Sequence, residues 1–241
     1  MATNSYLFRR PSDRALFITA AIGFPLLILL AYSRSYYFRP YFTAKPLAST
    51  LVHAHGVVMT LWVAFFSTQI ALVRRRSVKL HMTLGTLGAV LAALVVVVGM
   101  ATAVDVHVVR KHAPPGVNPY GFFAIPTVEM LLFVLFFGGA LYLRRRATEH
   151  KTLMLMTAIN FLPPAIGRIP LLPDQFRLVQ VFGIPALIAL ACLGWHTWKH
   201  RRPNPVFVAA VLVQLASYPL EIFLARNETW IAFVGWLTSL G

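Results

Sequence analysis

The feature that most limits what this chain can fold into is a repeated one: blocks of apolar residues separated by short basic clusters. The blocks run to about 20 residues, the length that crosses roughly 30 Å of hydrocarbon as a helix. Membrane-spanning strands would need about ten residues with strict alternation. Runs such as Leu91 to Gly99 do not alternate. Composition agrees, with 58% hydrophobic residues and only 12% charged ones, where a soluble domain carries roughly a quarter. The expectation is an all-α integral membrane protein, one domain over residues 1–241.

Seven spans are expected, at about 15–32, 51–73, 82–104, 120–143, 152–172, 178–198 and 206–225. The first follows Arg9, Arg10 and Arg14, the flank of a signal peptide, but its length and the lack of a small-x-small cleavage site favour a retained helix. The apolar tail 230–240 is too short to cross, and Trp230 and Trp236 suit a segment lying at an interface.

Orientation follows from the basic residues. Fourteen of the 22 Lys and Arg fall on one side, in the flanks and loops around Arg9–Arg14, Arg74–Lys79, Arg144–Lys151 and Lys199–Arg202. That bias expects the N-terminus in the cytoplasm and the C-terminus outside. The net charge of +15 is thereby used up in topology, and a nucleic-acid partner is not expected. The expected partner is the lipid bilayer. Compactness, short loops and the lack of sorting signals point to a bacterial inner membrane. The single cysteine, Cys192, excludes an internal disulfide and a cysteine-ligated zinc or iron–sulfur site.

Ionisable groups inside spans are candidates for function, because burying them in hydrocarbon costs several kcal/mol. Among the eight histidines, His81 heads a stripe of small residues that includes Gly85, Gly88, Ala92 and Gly99 on one helix face. His150 begins the fifth span on the same side. The triplets Arg74–Arg76 and Arg144–Arg146 each precede one of these histidines, in R-R-R-S-V-K-L-H and R-R-R-A-T-E-H, a weak internal repeat. In the second span His53 and His55 lie about 200° apart around the helix, and His53 heads the stripe taken as inward, Gly56, Thr60, Val63 and Ser67. Asn160, Pro163, Pro164 and Arg168 mark the fifth span as a broken helix, a device transporters use for binding ions. Glu129 sits well inside the fourth span, and Glu221 shares a face of the seventh with Gln214, Ser217 and Tyr218. Pairing of Arg168 with either glutamate is the expected way to lower the cost of burial. No Walker loop, dinucleotide fingerprint, H-E-x-x-H or G-x-S-x-G occurs, so no catalytic residue is named.

The stretch V-H-A-H-G-V-V-M-T-L-W-V-A-F with R-R-R-S-V-K-L-H-M-T-L-G-T-L-G-A-V-L-A resembles the opening helices of the cytochrome b-561 family of membrane haem proteins, over about residues 51–172. The resemblance implies haem b held by His81 and His150, with His53 on a second haem and the Gly85/Gly88 groove as the porphyrin wall. The second haem's other ligand would have to be His112, since the fourth span has no histidine. It further implies an electron-transfer role, with quinone or another redox protein as partner. A seven-span look-alike, the progestin-receptor, adiponectin-receptor and ceramidase superfamily of zinc hydrolases, has an H-x-x-x-H pair in its last span; here Val206 to Ala225 has no histidine. Two further expectations compete with the haem protein: a proton- or ion-coupled transporter or binding module built on Glu129, Asn160, Arg168 and Glu221, and a non-catalytic accessory subunit.

Overall fold

The computed structural model describes residues 13–42 and 46–239; Arg9, Arg10 and Lys45 lie outside the described residues. Those described form helices and connections without strands: α1 (Arg14–Tyr32), α2 (Thr50–Arg74), α3 (Val78–Ala103), α4 (Pro119–Phe122), α5 (Ala124–Tyr142), α6 (Ala147–Asn160), α7 (Leu162–Ile166), α8 (Ile184–His200), α9 (Pro205–Arg226) and α10 (Glu228–Thr238). Starts are set by local chemistry. The side chains of Ser49, Asn118, Asn204 and Asn227 each accept a backbone N–H in the first turn that follows, which satisfies donors a helix cannot pair internally.

Six helical stretches among the described residues are long and apolar enough to cross a membrane: Arg14–Tyr37, Thr50–Arg74, Val78–Val109, Pro119–Tyr142, Val179–His200 and Pro205–Arg226. Their outward faces are greasy. Leu26, Leu87, Val97, Leu131, Leu187 and Leu212 are each about 60% or more exposed, a surface that fits lipid and is unsuited to water. The protein is a helical, multi-pass membrane protein.

The expected span 152–172 departs from this pattern. It breaks at Phe161 into α6 and α7, of 14 and 5 residues. Pro163 and Pro164 carry no N–H, so the carbonyls of Ile159 and Asn160 lose their helical partners. Lipid would penalise such a break; protein shields it. Apart from Met154, every residue from Thr152 to Pro163 is buried. Gln180 staples the far end. Its amide donates to the carbonyls of Ile166 and Ile169 at 2.7 Å, and its oxygen accepts the Leu172 N–H at 2.9 Å.

The broken helix runs through the middle of the bundle. It packs on α5 and α9, with α1 and α8 on its flanks. Phe133, Phe136, Met156, Ile166 and Phe207 are fully enclosed there. α2 and α3 form an antiparallel hairpin that joins the centre along α1, on the α2 side, and along α5, on the α3 side. Wide π turns occur at Ser33–Tyr37, Val104–Val109 and Val179–Gly183, all at the end of the bundle opposite the Arg74–Arg76 and Arg144–Arg146 turns. The expected interfacial tail is helical. As α10 it lies against α4 and α9, and the Trp230 indole donates to the Tyr120 carbonyl at 3.0 Å.

Candidate functional site

Buried side-chain polar atoms normally find a partner, and Gln180 shows that this fold provides one where a buried amide is structural. The described residues contain 14 buried side-chain N or O atoms without one, and seven belong to Glu129, Asn160, Gln214, Tyr218 and Glu221. These residues come from α5, α6 and α9, so the broken helix is one wall of the cluster. The α9 face read from the sequence is real: Gln214, Ser217, Tyr218 and Glu221 are all at most 5% exposed.

Glu221 is completely enclosed, and neither of its carboxylate oxygens has a hydrogen bond of good geometry; the Ser217 hydroxyl is close by, but its proton goes to the Gln214 carbonyl at 2.9 Å. Glu129 is 7% exposed with Oε1 unpartnered, and it lies within electrostatic reach of Glu221 and Arg168. The Tyr218 phenol senses both carboxylates. Asn160 Nδ2 donates to the backbone carbonyl of Glu129 at 2.8 Å, which holds α6 to α5 and leaves the Asn160 oxygen unpaired. Gln214 has neither amide atom paired, while Ser217 turns back to donate to the Gln214 carbonyl at 2.9 Å.

The expected ion pair is not made. Every salt bridge among the described residues involves Asp13, Asp105 or Asp174, none of them either glutamate. Arg168 is exposed. Its guanidinium donates to the Pro164 carbonyl at 2.6 Å and sits 4.5 Å over the Tyr32 ring. The reason is local: α7 ends at Ile166 and the Arg168 N–H turns to the Ala165 carbonyl, so the Pro164 carbonyl has no helical partner and the Arg168 side chain supplies the donor. Two buried carboxylates are therefore left in low dielectric without a bonded cation. Each charge carries a desolvation cost of several kcal/mol, which a proton or a bound cation removes.

The histidines divide differently. His81 and His150, on α3 and α6, come together with ring centroids 6.3 Å apart and planes at 81°. His150 Nδ1 is bonded to the Ala140 carbonyl at 2.8 Å, which leaves Nε2 free. His53 is exposed at the start of α2, against Tyr36. His55 is the residue that turns toward α3, near Gly99, with Nδ1 buried and unpaired. Tyr36 explains the reversal: its ring lies over Gly56 and closes the face that His53 heads. The small-residue stripe of α3 is occupied by protein. A Cβ on Gly88 would run into the Phe65 ring and one on Gly99 would press on Met130 at 3.1 Å, whereas Gly85 meets nothing within 4 Å.

The sequence reading passed over one residue that the fold uses heavily, Asp13. It lies in the flank before α1, outside every span, so no apolar context drew notice to it. Its carboxylate is nonetheless 1% exposed and accepts from Lys151 of α6 at 2.6 Å. Burial works against its charge, but the Lys151 ammonium and the neighbouring imidazoles of His196 and His200 outweigh it and hold Asp13 below the usual carboxylate range. No family model, curated protein or solved structure matches this chain.

Proposed function

We propose that this is a proton- or cation-coupled binding and transport module whose site is the Glu129–Asn160–Gln214–Tyr218–Glu221 cluster. The observation that carries the reading is Glu221: fully enclosed, with both oxygens unpaired and no basic group within bonding distance among the described residues. Ionisable groups kept inside a membrane bundle at such cost mark proton and ion pathways. The broken α6–α7 helix beside them supplies irregular backbone where it is shielded by protein, as in transporter sites. On this reading α6 and α7 together make a seventh, interrupted crossing, with the N-terminus cytoplasmic, the C-terminus outside, and a bacterial inner membrane as the location. The basic-residue bias supports that orientation.

The test is uptake by proteoliposomes that contain a pH-sensitive dye. Under an imposed cation or pH gradient, wild-type protein moves protons or cations, and Glu221→Gln and Glu129→Gln abolish the movement. His81→Ala leaves it intact. The opposite pattern discards the reading.

A second reading has its own observation, the His81–His150 pair. Two imidazoles 6.3 Å apart at their centroids, one with Nδ1 anchored on a carbonyl and Nε2 free, belong to residues that would hold the iron of haem b. Bound there, the haem would supply one-electron transfer, with quinone or a redox protein as partner. Phe65 covers Gly88, so the porphyrin wall expected at Gly85 and Gly88 is available only at Gly85. A reduced-minus-oxidised visible spectrum of protein expressed with haem precursor tests this. A b-type band that survives in both His81→Ala and His150→Ala sinks it.

A further inference from the structure

Asp13 is placed like a helix N-cap, immediately before α1, yet its side chain makes no capping bond. The carboxylate turns instead to the far end of α8. Oδ2 lies 3.1 Å from His196 Nδ1 and 3.1 Å from His200 Nε2. The two histidines are one helical turn apart on one face, with their rings stacked at 4.3 Å and 26°. The Phe207 ring abuts His196 edge-on at 5.7 Å and fixes its plane. One ligand-type atom from each of the three residues lies within 4.8 Å of the other two. Asp13 Oδ1 is buried beside them with no partner.

From this geometry we infer a site for a zinc-like divalent transition metal, held by Asp13, His196 and His200, in which Lys151 is a built-in competing cation. Three arguments support it. Two imidazoles and a carboxylate are the donor set of open, three-ligand zinc sites. A tetrahedron with metal–ligand bonds of about 2.0–2.1 Å has edges of about 3.3 Å, and both carboxylate–imidazole separations are 3.1 Å. The carboxylate oxygen therefore already stands at coordination spacing from both imidazoles, and the two ring nitrogens lie within 4.8 Å of each other. Finally, Asp13 and His196 are 98% or more enclosed, so the ligands are already ordered and desolvated before an ion arrives.

Lys151 makes the site conditional. Its ammonium bonds Oδ2 at 2.6 Å, but the side chain is 32% exposed and also lies over the Phe17 ring at 5.5 Å. It therefore has somewhere to go when a dication displaces it. On binding, the lysine leaves Oδ2 and each imidazole presents a lone pair at the nitrogen that now faces the carboxylate. Its proton passes to the other ring nitrogen, or to water if the ring was charged.

The experiment is a zinc chloride titration of the purified full chain, stripped with EDTA and followed by calorimetry and metal analysis. One zinc per chain is expected, with affinity falling by more than about tenfold in His200→Ala and rising in Lys151→Gln. The lysine variant keeps all three ligands and removes only the competitor. His200 is 21% exposed, so its replacement leaves the core packed even if variants of His196 do not fold. Zinc held equally by wild type and His200→Ala overturns the site, as does a folded wild-type protein that takes up none. An unchanged affinity in folded Lys151→Gln overturns the competing-cation part.

Discussion

The side-chain amide of Asn160 donates a 2.8 Å hydrogen bond to the backbone carbonyl of Glu129 and not to its carboxylate. The bond therefore fixes the spacing of α5 and α6 while leaving the acid uncompensated. A structural role would have spent that donor on the carboxylate itself. The choice of backbone over side chain is what separates Glu129 from an ordinary satisfied core residue.

For the two glutamates, stability and transport are expected to move apart. Glu221→Gln keeps the volume and removes the ionisable oxygen, so its thermal midpoint in detergent stays at or above the wild-type value while uptake is lost. Replacing an uncompensated buried carboxylate by an uncharged amide of similar shape removes a desolvation penalty of several kcal/mol. A purely structural acid predicts the reverse, a lowered midpoint with uptake retained. Glu129→Gln combined with Glu221→Gln is expected to cost no more uptake than either alone, since groups that act as a unit are non-additive.

Arg168 separates the expected ion pair from the cap that is present. Arg168→Ala loses a bond to the Pro164 carbonyl and a contact over Tyr32, worth about 0.5–1 kcal/mol at an exposed site. The midpoint should fall slightly and uptake should change by less than about threefold, well under 1 kcal/mol on the usual scale. An effect as large as that of Glu221→Gln would restore a direct Arg168–glutamate interaction.

The glycines rank by what a methyl group would meet. Gly121→Ala puts a Cβ against the backbone carbonyl of Ala225, where α4 meets the end of α9, and backbone cannot swing aside. A loss of about 1–3 kcal/mol is expected. Gly88→Ala meets the far edge of the Phe65 ring, which can turn, so its cost is smaller. Gly85→Ala meets nothing and should gain up to about 1 kcal/mol from helix propensity. Midpoints measured in one detergent check the order; a destabilised Gly85→Ala contradicts it.

The Asp13 latch has a definite pH sign. Its folded carboxyl is held below the ordinary value by Lys151, His196 and His200, so its stabilising effect is complete above the unfolded value of about 3.9. That effect is lost as pH falls through the lower folded value. In EDTA, the midpoint gap between wild type and Asp13→Asn should close below about pH 4, as Asp13 itself takes up a proton. A gap that stays open well below that pH would contradict the assignment of Asp13 as the charged member.

The sequence by itself determined the class of fold. Blocks of about 20 apolar residues have only one way to satisfy their backbone in lipid, and six of the seven expected spans are long apolar helices. Helical periodicity also placed Gln214, Ser217, Tyr218 and Glu221 on one face, and the family resemblance paired His81 with His150, whose ring centroids lie 6.3 Å apart. What periodicity cannot see is which neighbour fills a face. Tyr36 over Gly56 turned His53 outward and left His55 inside, and Phe65 filled the groove at Gly88. The double proline marked a break, but only the packing of α1, α5, α8 and α9 around it shows that the broken backbone is shielded. The Asp13 carboxylate lies more than 130 residues from every side chain it binds. Such contacts depend on how helices are arranged around one another, which local pattern does not encode, so the latch and the uncompensated carboxylates were decided by tertiary structure alone.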